Sequence, residues 1–205
     1  MTPLVLVALV LLAFLCGSLP FSVWLGKLFL RVDVRTYGDG NPGAANAFRT
    51  GNRLVGLLAL LLDISKAAAP VGWAYFTLGV RGVPIFLIAV APLLGHVFSP
   101  FLRFKGGKGI ATLFGAWIGL TLWQASLPAV LGAVVGIVLF TPPFWSVMVG
   151  MSAILLTLVG WLPDPLFLAV WGVQLLLMVW THRRDLRQGI HLRPLIIHLL
   201  SRLKG

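Results

Sequence analysis

Long apolar stretches separated by short polar gaps run along nearly the whole chain. The apolar blocks span residues 3–26, 54–80, 83–102, 110–140, 144–161 and 165–181. A helix of about 20 apolar residues crosses a bilayer core of about 30 Å. The fourth block would form a helix of about 46 Å, too long for one span, so we expect it to divide near Gln124 to Pro128. The pattern therefore predicts an all-α fold with seven transmembrane helices.

The basic residues indicate how these helices are oriented. The chain carries 16 Lys and Arg against 5 Asp and Glu. If the N-terminus lies outside, 14 of the 16 basic residues fall on the cytoplasmic face, while Arg81 lies outside and Lys66 within a span. Six spans would leave the basic C-terminus outside. The bias therefore favours seven spans with the N-terminus outside and the C-terminus in the cytoplasm.

Composition supports the membrane assignment. Hydrophobic residues make up 59% of the chain and charged residues only 10%, whereas soluble domains carry about 25% charged residues. A net charge of +11 could indicate nucleic acid binding, but the basic residues sit in short gaps between apolar runs, so we expect a lipid bilayer and no nucleic acid. Cys16 is the only cysteine, which excludes an intramolecular disulfide.

The domain organisation is expected to be simple. The loops are too short for a soluble domain, so residues 1–205 are predicted to form one membrane domain. Residues 189–205 alternate apolar and basic side chains and are predicted to form an amphipathic tail in the interface. Residues 1–26 could also be a cleaved signal peptide, but they lack a basic start and their apolar run is long, so they are interpreted as a span.

A glycine-rich polar segment, residues 38–46, separates the first two apolar blocks and is followed by Arg49. Glycines allow left-handed turns that point successive N–H groups at one spot, a geometry suited to an anion such as phosphate. A second basic glycine cluster, residues 103–109, precedes the fourth block. Because both segments fall on the predicted cytoplasmic face, we expect a site there for anionic small molecules at the lipid surface.

Two ionisable residues, Asp63 and Lys66, lie inside the second apolar block. Their i, i+3 spacing places them on one helix face, where pairing offsets part of the cost of removing each charge from water. They are predicted either to form a polar wall of a substrate cavity or to make a structural ion pair. His96 and His182 fall on the same predicted face as both glycine segments, which makes them candidate proton acceptors.

Four blocks of the sequence occur in a recognisable order and spacing, at residues 17–21, 38–49, 62–66 and 95–112. Together they resemble the bacterial acyl-phosphate:glycerol-3-phosphate acyltransferases of the PlsY type. The resemblance implies a multi-pass plasma membrane enzyme with seven helices and a cytoplasmic active site. It implies transfer of an acyl chain from acyl phosphate to the sn-1 hydroxyl of glycerol 3-phosphate, giving lysophosphatidic acid and phosphate in phospholipid biosynthesis. No cofactor or metal is expected.

The resemblance and the chemistry of this reaction together suggest site residues. Acyl phosphate is a mixed anhydride, so the enzyme must bind two phosphates, align the hydroxyl and stabilise the oxyanion, without a covalent nucleophile. The proton acceptor stays open between His182, His96 and a substrate phosphate oxygen. The expected catalytic residues are His182, Asn46, Asp185 and His96. The expected substrate-binding residues are Asp39, Gly40, Asn41, Gly43, Arg49, Lys66, Lys105, Gly106, Gly107, Lys108 and Gly109.

Three departures from the family pattern leave alternatives open. Asp39 stands where the pattern has serine, Ala67 where it has glycine, and residues 181–185 read Thr-His-Arg-Arg-Asp instead of Arg-His-Arg-Glu-Asn. An unpaired carboxylate would repel phosphate, so we expect Asp39 to be neutralised by Arg49, Lys105 or another cation. The alternatives are a catalytically altered homologue that binds a phospholipid or a phosphorylated acceptor, and a small-anion transporter, although no inverted repeat is visible.

Overall fold

The chain divides after Leu122 into two units, residues 1–122 and 123–205. The computed structural model describes residues 1–141, 143–194, 196–197 and 202. Within these residues the regular elements are helices, apart from two strands of two residues each. The predicted all-α class is confirmed.

The first unit is described completely and contains six α-helices. They are α1 (Pro3–Ser18), α2 (Phe21–Leu25), α3 (Ala44–Arg49), α4 (Arg53–Gly72), α5 (Val83–Val97) and α6 (Ile110–Thr121). A π-helical segment follows α2 over Gly26–Leu30 and another follows α4 over Trp73–Thr77. Short 3₁₀ turns occupy Val34–Thr36 and Pro100–Leu102.

Local chemistry explains where α1 begins and ends. The Thr2 hydroxyl accepts a hydrogen bond from the Val5 N–H at 3.4 Å, and Pro3 occupies the first helical position, where its missing N–H costs nothing. At the other end Pro20 has no N–H to donate, and the chain bends by 40° between α1 and the segment Phe21–Leu30. The polar atoms left by this break become part of the buried network described below.

Glycines allow the helices of the first unit to approach closely. Gly95 of α5 lies against the Phe14 carbonyl of α1, and a Cβ atom at that position would overlap it. Gly115 of α6 lies in the same way against the Ile64 carbonyl of α4, and a Cβ there would lie 3.2 Å from the Cβ of Ala67. Close packing of small residues is a main source of association between membrane helices. The extra methyl of Ala67, compared with the family pattern, is accommodated because its neighbour is Gly115.

The second unit contains four α-helices within residues 123–186. They are α7 (Trp123–Leu139), α8 (Phe144–Gly160), α9 (Pro165–Thr181) and α10 (Arg183–Leu186). Strand β1 (Phe140–Thr141) pairs in antiparallel fashion with β2 (His191–Leu192). Gly150 of α8 lies close to the Ala129 carbonyl of α7, and the Trp171 indole N–H of α9 donates to the Met151 carbonyl of α8 at 2.9 Å.

Two helical segments among the described residues are long and apolar enough to cross a membrane, Arg53–Thr77 and Val83–Leu102. A third is obtained if α1 and the segment Phe21–Leu30 are counted as one bent span. The helices α6, α7, α8 and α9 are apolar and shorter, with 12, 17, 17 and 17 residues. The fourth apolar block does divide, as predicted, but at Leu122 and not within residues 124–128, because Leu122 adopts a left-handed φ of 53°.

The C-terminal segment does not begin with the helix that was predicted for the tail. Gly189 has a φ of +73°, and the next residues enter β2, so no helix begins at Ile190. Residues 194, 196 and 197 are helical. Leu195 and residues 198–201 and 203–205, which are eight of the 17 residues of the predicted amphipathic tail, lie outside the described residues. Its interfacial role stays a prediction.

Candidate active site

The first glycine-rich segment leads into the short helix α3. Gly38 and Gly40 adopt left-handed φ angles of +56° and +76°. The side chains of Asn46 and Arg49 project from α3 against Gly38, where a Cβ atom would overlap both. Gly43 is the N-cap of α3, and its carbonyl accepts the Asn46 N–H at 3.0 Å. The turn therefore brings the polar side chains of α3 next to the backbone of the loop.

Asp39 is the centre of a polar cluster, here called the Asp39 cluster and formed with Asn41, Asn46, Arg49 and Lys108. Its carboxylate lies 3.0 Å from the Lys108 ammonium and 3.9 Å from an Arg49 guanidinium nitrogen. It also accepts hydrogen bonds from the Asn41 N–H at 3.2 Å and from the Asn46 amide at 3.1 Å. Asp39 is neutralised as expected, and its nearest cation is Lys108.

These contacts set the ionisation of Asp39. Partial burial raises the pKa of the carboxyl, but hydrogen bonds from Lys108, Asn41 and Asn46, with the charge of Lys108, outweigh it and hold the pKa below its usual value. Asp39 is therefore ionised at neutral pH. Asn46 is fully buried, donates to the Asn41 carbonyl at 2.9 Å and accepts from Arg49 at 2.9 Å. The orientation of the Arg49 guanidinium follows from this buried amide.

Asn41 joins the two glycine segments. Its side-chain oxygen accepts the Lys108 backbone N–H at 3.0 Å. The N–H groups of Gly106 and Gly107 donate to the carbonyls of Val97 and His96 at the end of α5, at 3.0 and 3.1 Å. The sequence prediction that both segments contribute to one site agrees with this geometry.

The backbone contribution differs from the expectation. The N–H groups of Gly40, Asn41, Gly106, Gly107 and Lys108 were expected to face an anion, and each is hydrogen-bonded within the protein. The physical reason is that the carbonyls at the end of α5 and the oxygens of the Asp39 loop need donors themselves. The cationic side chains, and not these N–H groups, supply the positive charge. Gly109 serves as the N-cap of α6, with a φ of +85°.

His96 lies at the end of α5, buried behind Gly107, where a Cβ atom would overlap its Nε2. The Thr112 hydroxyl donates to the Asp63 carbonyl at 3.3 Å, so its oxygen accepts at 3.2 Å from His96 Nδ1. Nδ1 therefore carries the proton of the neutral ring, and Nε2 is the basic nitrogen. Sequence reasoning missed Thr112, although it lies in the fourth block that carries the family resemblance.

Asp63 and Lys66 form a buried ion pair, which is the structural alternative of the two predicted. The Lys66 ammonium lies 2.7 Å from the Asp63 carboxylate and donates to the Leu19 carbonyl at 2.9 Å. Ser22 donates to the same carboxylate at 3.2 Å. Lys66 thus stabilises the break between α1 and α2. This structural role explains the buried lysine without a direct contact with substrate.

Lys105 is not in the Asp39 cluster. Its side chain lines a separate cavity of about 470 Å³ together with Lys27, Arg35 and Arg103. Sequence reasoning counted Lys27 and Arg35 only for topology and included Arg103 in the second basic glycine cluster. The available signal for Lys27 and Arg35 was their position in the polar gap that also holds the first glycine segment.

The remaining predicted residues, His182 and Asp185, belong to the second unit. His182 is buried, and its ring centroid lies 5.1 Å from that of Phe144. Its Nδ1 lies 2.9 Å from the Met178 carbonyl, and because a carbonyl can only accept, Nδ1 carries the proton. Nε2 is then the basic nitrogen, as in His96. The Asp185 N–H donates to the His182 carbonyl at 2.8 Å in the turn that begins α10.

Comparison with known proteins identifies the family. A family model described as glycerol-3-phosphate acyltransferase matches residues 7–191. A glycerol-3-phosphate acyltransferase of Pelagibacter ubique (strain HTCC1062) is 35% identical over 184 residues, which cover 86% of this chain and 89% of that protein.

Solved structures agree with this match. The crystal structure of PlsY, an integral membrane glycerol 3-phosphate acyltransferase, in its glycerol 3-phosphate form has a TM-score of 0.80 and 26% identity, over 95% of this chain and 98% of that one. The lysophosphatidic acid form has a TM-score of 0.74 and 27% identity, over 89% of this chain and 90% of that one. The chain belongs to the glycerol-3-phosphate acyltransferase family.

Proposed function

We propose that this protein transfers an acyl chain from acyl phosphate to the sn-1 hydroxyl of glycerol 3-phosphate, with release of lysophosphatidic acid and inorganic phosphate. As a member of its family it is an integral membrane acyltransferase that acts on glycerol 3-phosphate in phospholipid synthesis. The Asp39 cluster carries the proposal, because Arg49, Lys108 and the Asn46 amide converge there. Charge-assisted hydrogen bonds from such groups are well suited to phosphate.

The groups in this cluster support acyl phosphate as the acyl donor. Both acyl phosphate and glycerol 3-phosphate present a phosphate to the same cations, and phosphate is a good leaving group. Within the fully described first unit, the Asp39 cluster contains no hydroxyl or thiol side chain. This supports direct attack of the acceptor hydroxyl on the acyl carbonyl, with the two cations binding phosphate and stabilising the developing oxyanion. A covalent acyl-enzyme has no role in the proposal.

The attacking hydroxyl loses a proton, which a histidine Nε2 accepts in this proposal. Both His96 and His182 keep Nδ1 protonated through their hydrogen bonds, so Nε2 is the basic atom in each. His96→Gln and His182→Gln identify which ring acts. The variant that lowers kcat and removes the fall in rate at acid pH has lost the proton acceptor. Unchanged pH profiles in both variants would assign proton acceptance to a substrate phosphate oxygen.

The proposed topology has seven spans in the plasma membrane, with the N-terminus outside and the site on the cytoplasmic face. Seven apolar helical segments among the described residues and the clustering of Lys and Arg support it. Single cysteines in a Cys16→Ser background test it with a membrane-impermeant thiol reagent. Cysteine at Thr2 or Arg81 should react from outside, and cysteine at Thr36 or Lys204 should not. Outside labelling at Lys204 would contradict the seven-span topology.

The activity itself is tested with the purified full-length protein in detergent. Acyl phosphate and glycerol 3-phosphate should give lysophosphatidic acid and inorganic phosphate in equal amounts. Arg49→Ala should raise KM for at least one of the two phosphorylated substrates. Arg53→Ala, a matched loss of an exposed arginine four residues away, should leave both KM values unchanged. A wild-type protein that forms no lysophosphatidic acid would overturn the proposal, and phosphate transport by the same preparation in liposomes would favour a transporter.

A further inference from the structure

A cavity of about 470 Å³ in the first unit is lined by four cationic side chains, Lys27, Arg35, Arg103 and Lys105. Its lining contains no member of the Asp39 cluster. Lys27 lies in the π-helical segment after α2, Arg35 in the 3₁₀ turn that follows it, and Arg103 and Lys105 in the loop between α5 and α6, so the cavity is built by two separate parts of the chain. Its volume is in the range of small-molecule sites in proteins, about 300–1,000 Å³.

The charge of this cavity is not balanced within the first unit, all of whose residues are described. The unit has three carboxylates, and each is engaged: Asp33 with Arg35, Asp39 with Lys108 and Arg49, and Asp63 with Lys66. Asp33 also attracts Lys27 through a weaker charge interaction. No carboxylate of the unit lies within ion-pair distance of Lys27, Arg103 or Lys105. An anion from outside would therefore meet a strong excess of positive charge.

Two features position Arg35 and the backbone at Arg103. Asp33 binds the Arg35 guanidinium through both carboxylate oxygens, with contacts of 2.6 and 2.9 Å, and the hydrogen bond from Arg35 lowers the pKa of Asp33 to about 2. On the other side Arg103 and Phe104 both have left-handed φ angles, 53° and 60°. Consecutive non-glycine residues rarely adopt this conformation, and it persists where the surroundings hold it, often at functional sites.

The cavity also has an aromatic wall. Trp24 and Phe101 line it, and their rings meet edge to face with centroids 5.8 Å apart. Both side chains are about half exposed, at 43% and 52%. Aromatic rings of this kind are typical of the headgroup level of a bilayer. The combination of cations with an aromatic wall suits a phosphate group that is attached to, or approaches, the membrane surface.

We propose that this cavity is a second binding site, separate from the transfer site, for a phosphate monoester group or free phosphate. A phosphate carries up to two charges and several acceptor oxygens, which matches a set of two lysines and two arginines better than a singly charged carboxylate does. The group can come from two sources, a monoester lipid headgroup such as that of phosphatidic acid, or free phosphate from the cytoplasm. The site goes beyond the transfer reaction, because its cations are not in the Asp39 cluster.

Binding of each source to the full-length protein tests the proposal. The protein is immobilised in detergent and titrated with radiolabelled inorganic phosphate or dioctanoyl phosphatidic acid in a scintillation proximity assay. Dioctanoyl phosphatidylcholine, a zwitterionic diester, is the control lipid. We expect Lys27→Ala/Arg103→Ala to weaken the binding of inorganic phosphate, of phosphatidic acid or of both at this site at least tenfold. Phosphatidylcholine binding should not change. KM for glycerol 3-phosphate should stay within twofold of wild type.

Control variants keep the test falsifiable. Lys27→Arg/Arg103→Lys retains the charges and should retain binding, and Arg53→Ala removes an exposed arginine that does not line the cavity and should have no effect. If the double alanine variant does not fold, Lys27→Gln alone replaces it. If the variant loses only phosphatidic acid binding, the lipid headgroup is the ligand of this site. If it loses only inorganic phosphate binding, the free anion is the ligand. Wild-type binding of both ligands in the alanine variant, or in Lys27→Gln where that replaces it, would overturn the proposal.

Discussion

Replacing Asp39 by asparagine tests whether the Asp39 cluster binds phosphate. The substitution removes one negative charge and keeps a side-chain oxygen that can accept from the Asn41 N–H and the Asn46 amide. In the wild type, phosphate must compete with the carboxylate for Lys108 and Arg49. We therefore expect Asp39→Asn to lower KM for glycerol 3-phosphate and to leave kcat nearly unchanged.

The size of the effect follows from the exposure of the ion pair. At the observed 3.0 Å, two charges in water attract by about 1.4 kcal/mol. The side chains of Lys108 and Asp39 are 27% and 44% exposed, and ion pairs at such sites contribute a net of about 0.2–1 kcal/mol because solvation opposes them. Removing the competing carboxylate should then lower KM by up to about fivefold. Since the pKa of Asp39 is lowered, the carboxylate is ionised from mildly acidic pH upwards, and the gain should be constant from pH 6 to pH 8.

The assay is steady-state acyl transfer with acyl phosphate and glycerol 3-phosphate, run for wild type, Asp39→Asn and Asp39→Ser. The serine variant has the residue of the family pattern and should be at least as active as wild type. An active wild type that both substitutions inactivate would show that the carboxylate itself is required, and would refute the description of this loop as a phosphate site. A wild type without transfer activity that Asp39→Ser activates would favour the alternative that the protein is a catalytically altered homologue.

Three further predictions concern residues around this site. Lys108→Ala should raise KM for a phosphorylated substrate about 10- to 150-fold, since charge-assisted hydrogen bonds contribute about 1.5–3 kcal/mol; unchanged steady-state kinetics would leave the lysine without a binding role. Lys66→Met should lower the unfolding free energy by about 3–5 kcal/mol, because it leaves a buried carboxylate unpaired, and a wild-type melting curve in detergent would contradict this. Gly107→Ala places a Cβ atom onto the His96 ring and should abolish transfer, whereas Gly172→Ala, which has open space around it, should remain active in the same assay.

Patterns local in sequence predicted much of the fold. Apolar blocks of 17 to 27 residues correspond to helical segments in order, because helix formation and burial in lipid depend on a continuous stretch of side chains. The division of the fourth block could be predicted from length alone. Its position at Leu122 could not, because a left-handed leucine has no sequence signal of the kind that glycine gives.

The sequence predicted which segments form the site better than it predicted the contacts between their residues. The two glycine segments meet through Asn41 and Lys108, which agrees with the expectation that both serve one site. Sequence reasoning could not tell which cation would neutralise Asp39, since Lys105 and Lys108 belong to one short run and differ only in the direction of their side chains. Nor could it show that the end of α5 occupies the N–H groups of Gly106 and Gly107. Such contacts depend on tertiary packing between distant segments.

The buried pair of Asp63 and Lys66 shows why a charge can be structural and still influence a site. The break before Pro20 leaves the Leu19 carbonyl without a helical donor in an apolar region, where an unpaired carbonyl is costly. Lys66 supplies the donor, and Asp63 is required to balance the ammonium.

The backbone carbonyl of Asp63 then accepts a hydrogen bond from the Thr112 hydroxyl, which in turn orients His96 next to Gly107. Asp63 therefore contributes to both features: its carboxylate pairs with the lysine that stabilises the helix break, and its backbone carbonyl helps to fix the tautomer of a candidate base. A substitution at Lys66 should for this reason alter both the melting temperature and the pH profile of transfer, whereas a substitution with a purely local effect on the break would alter the melting temperature alone.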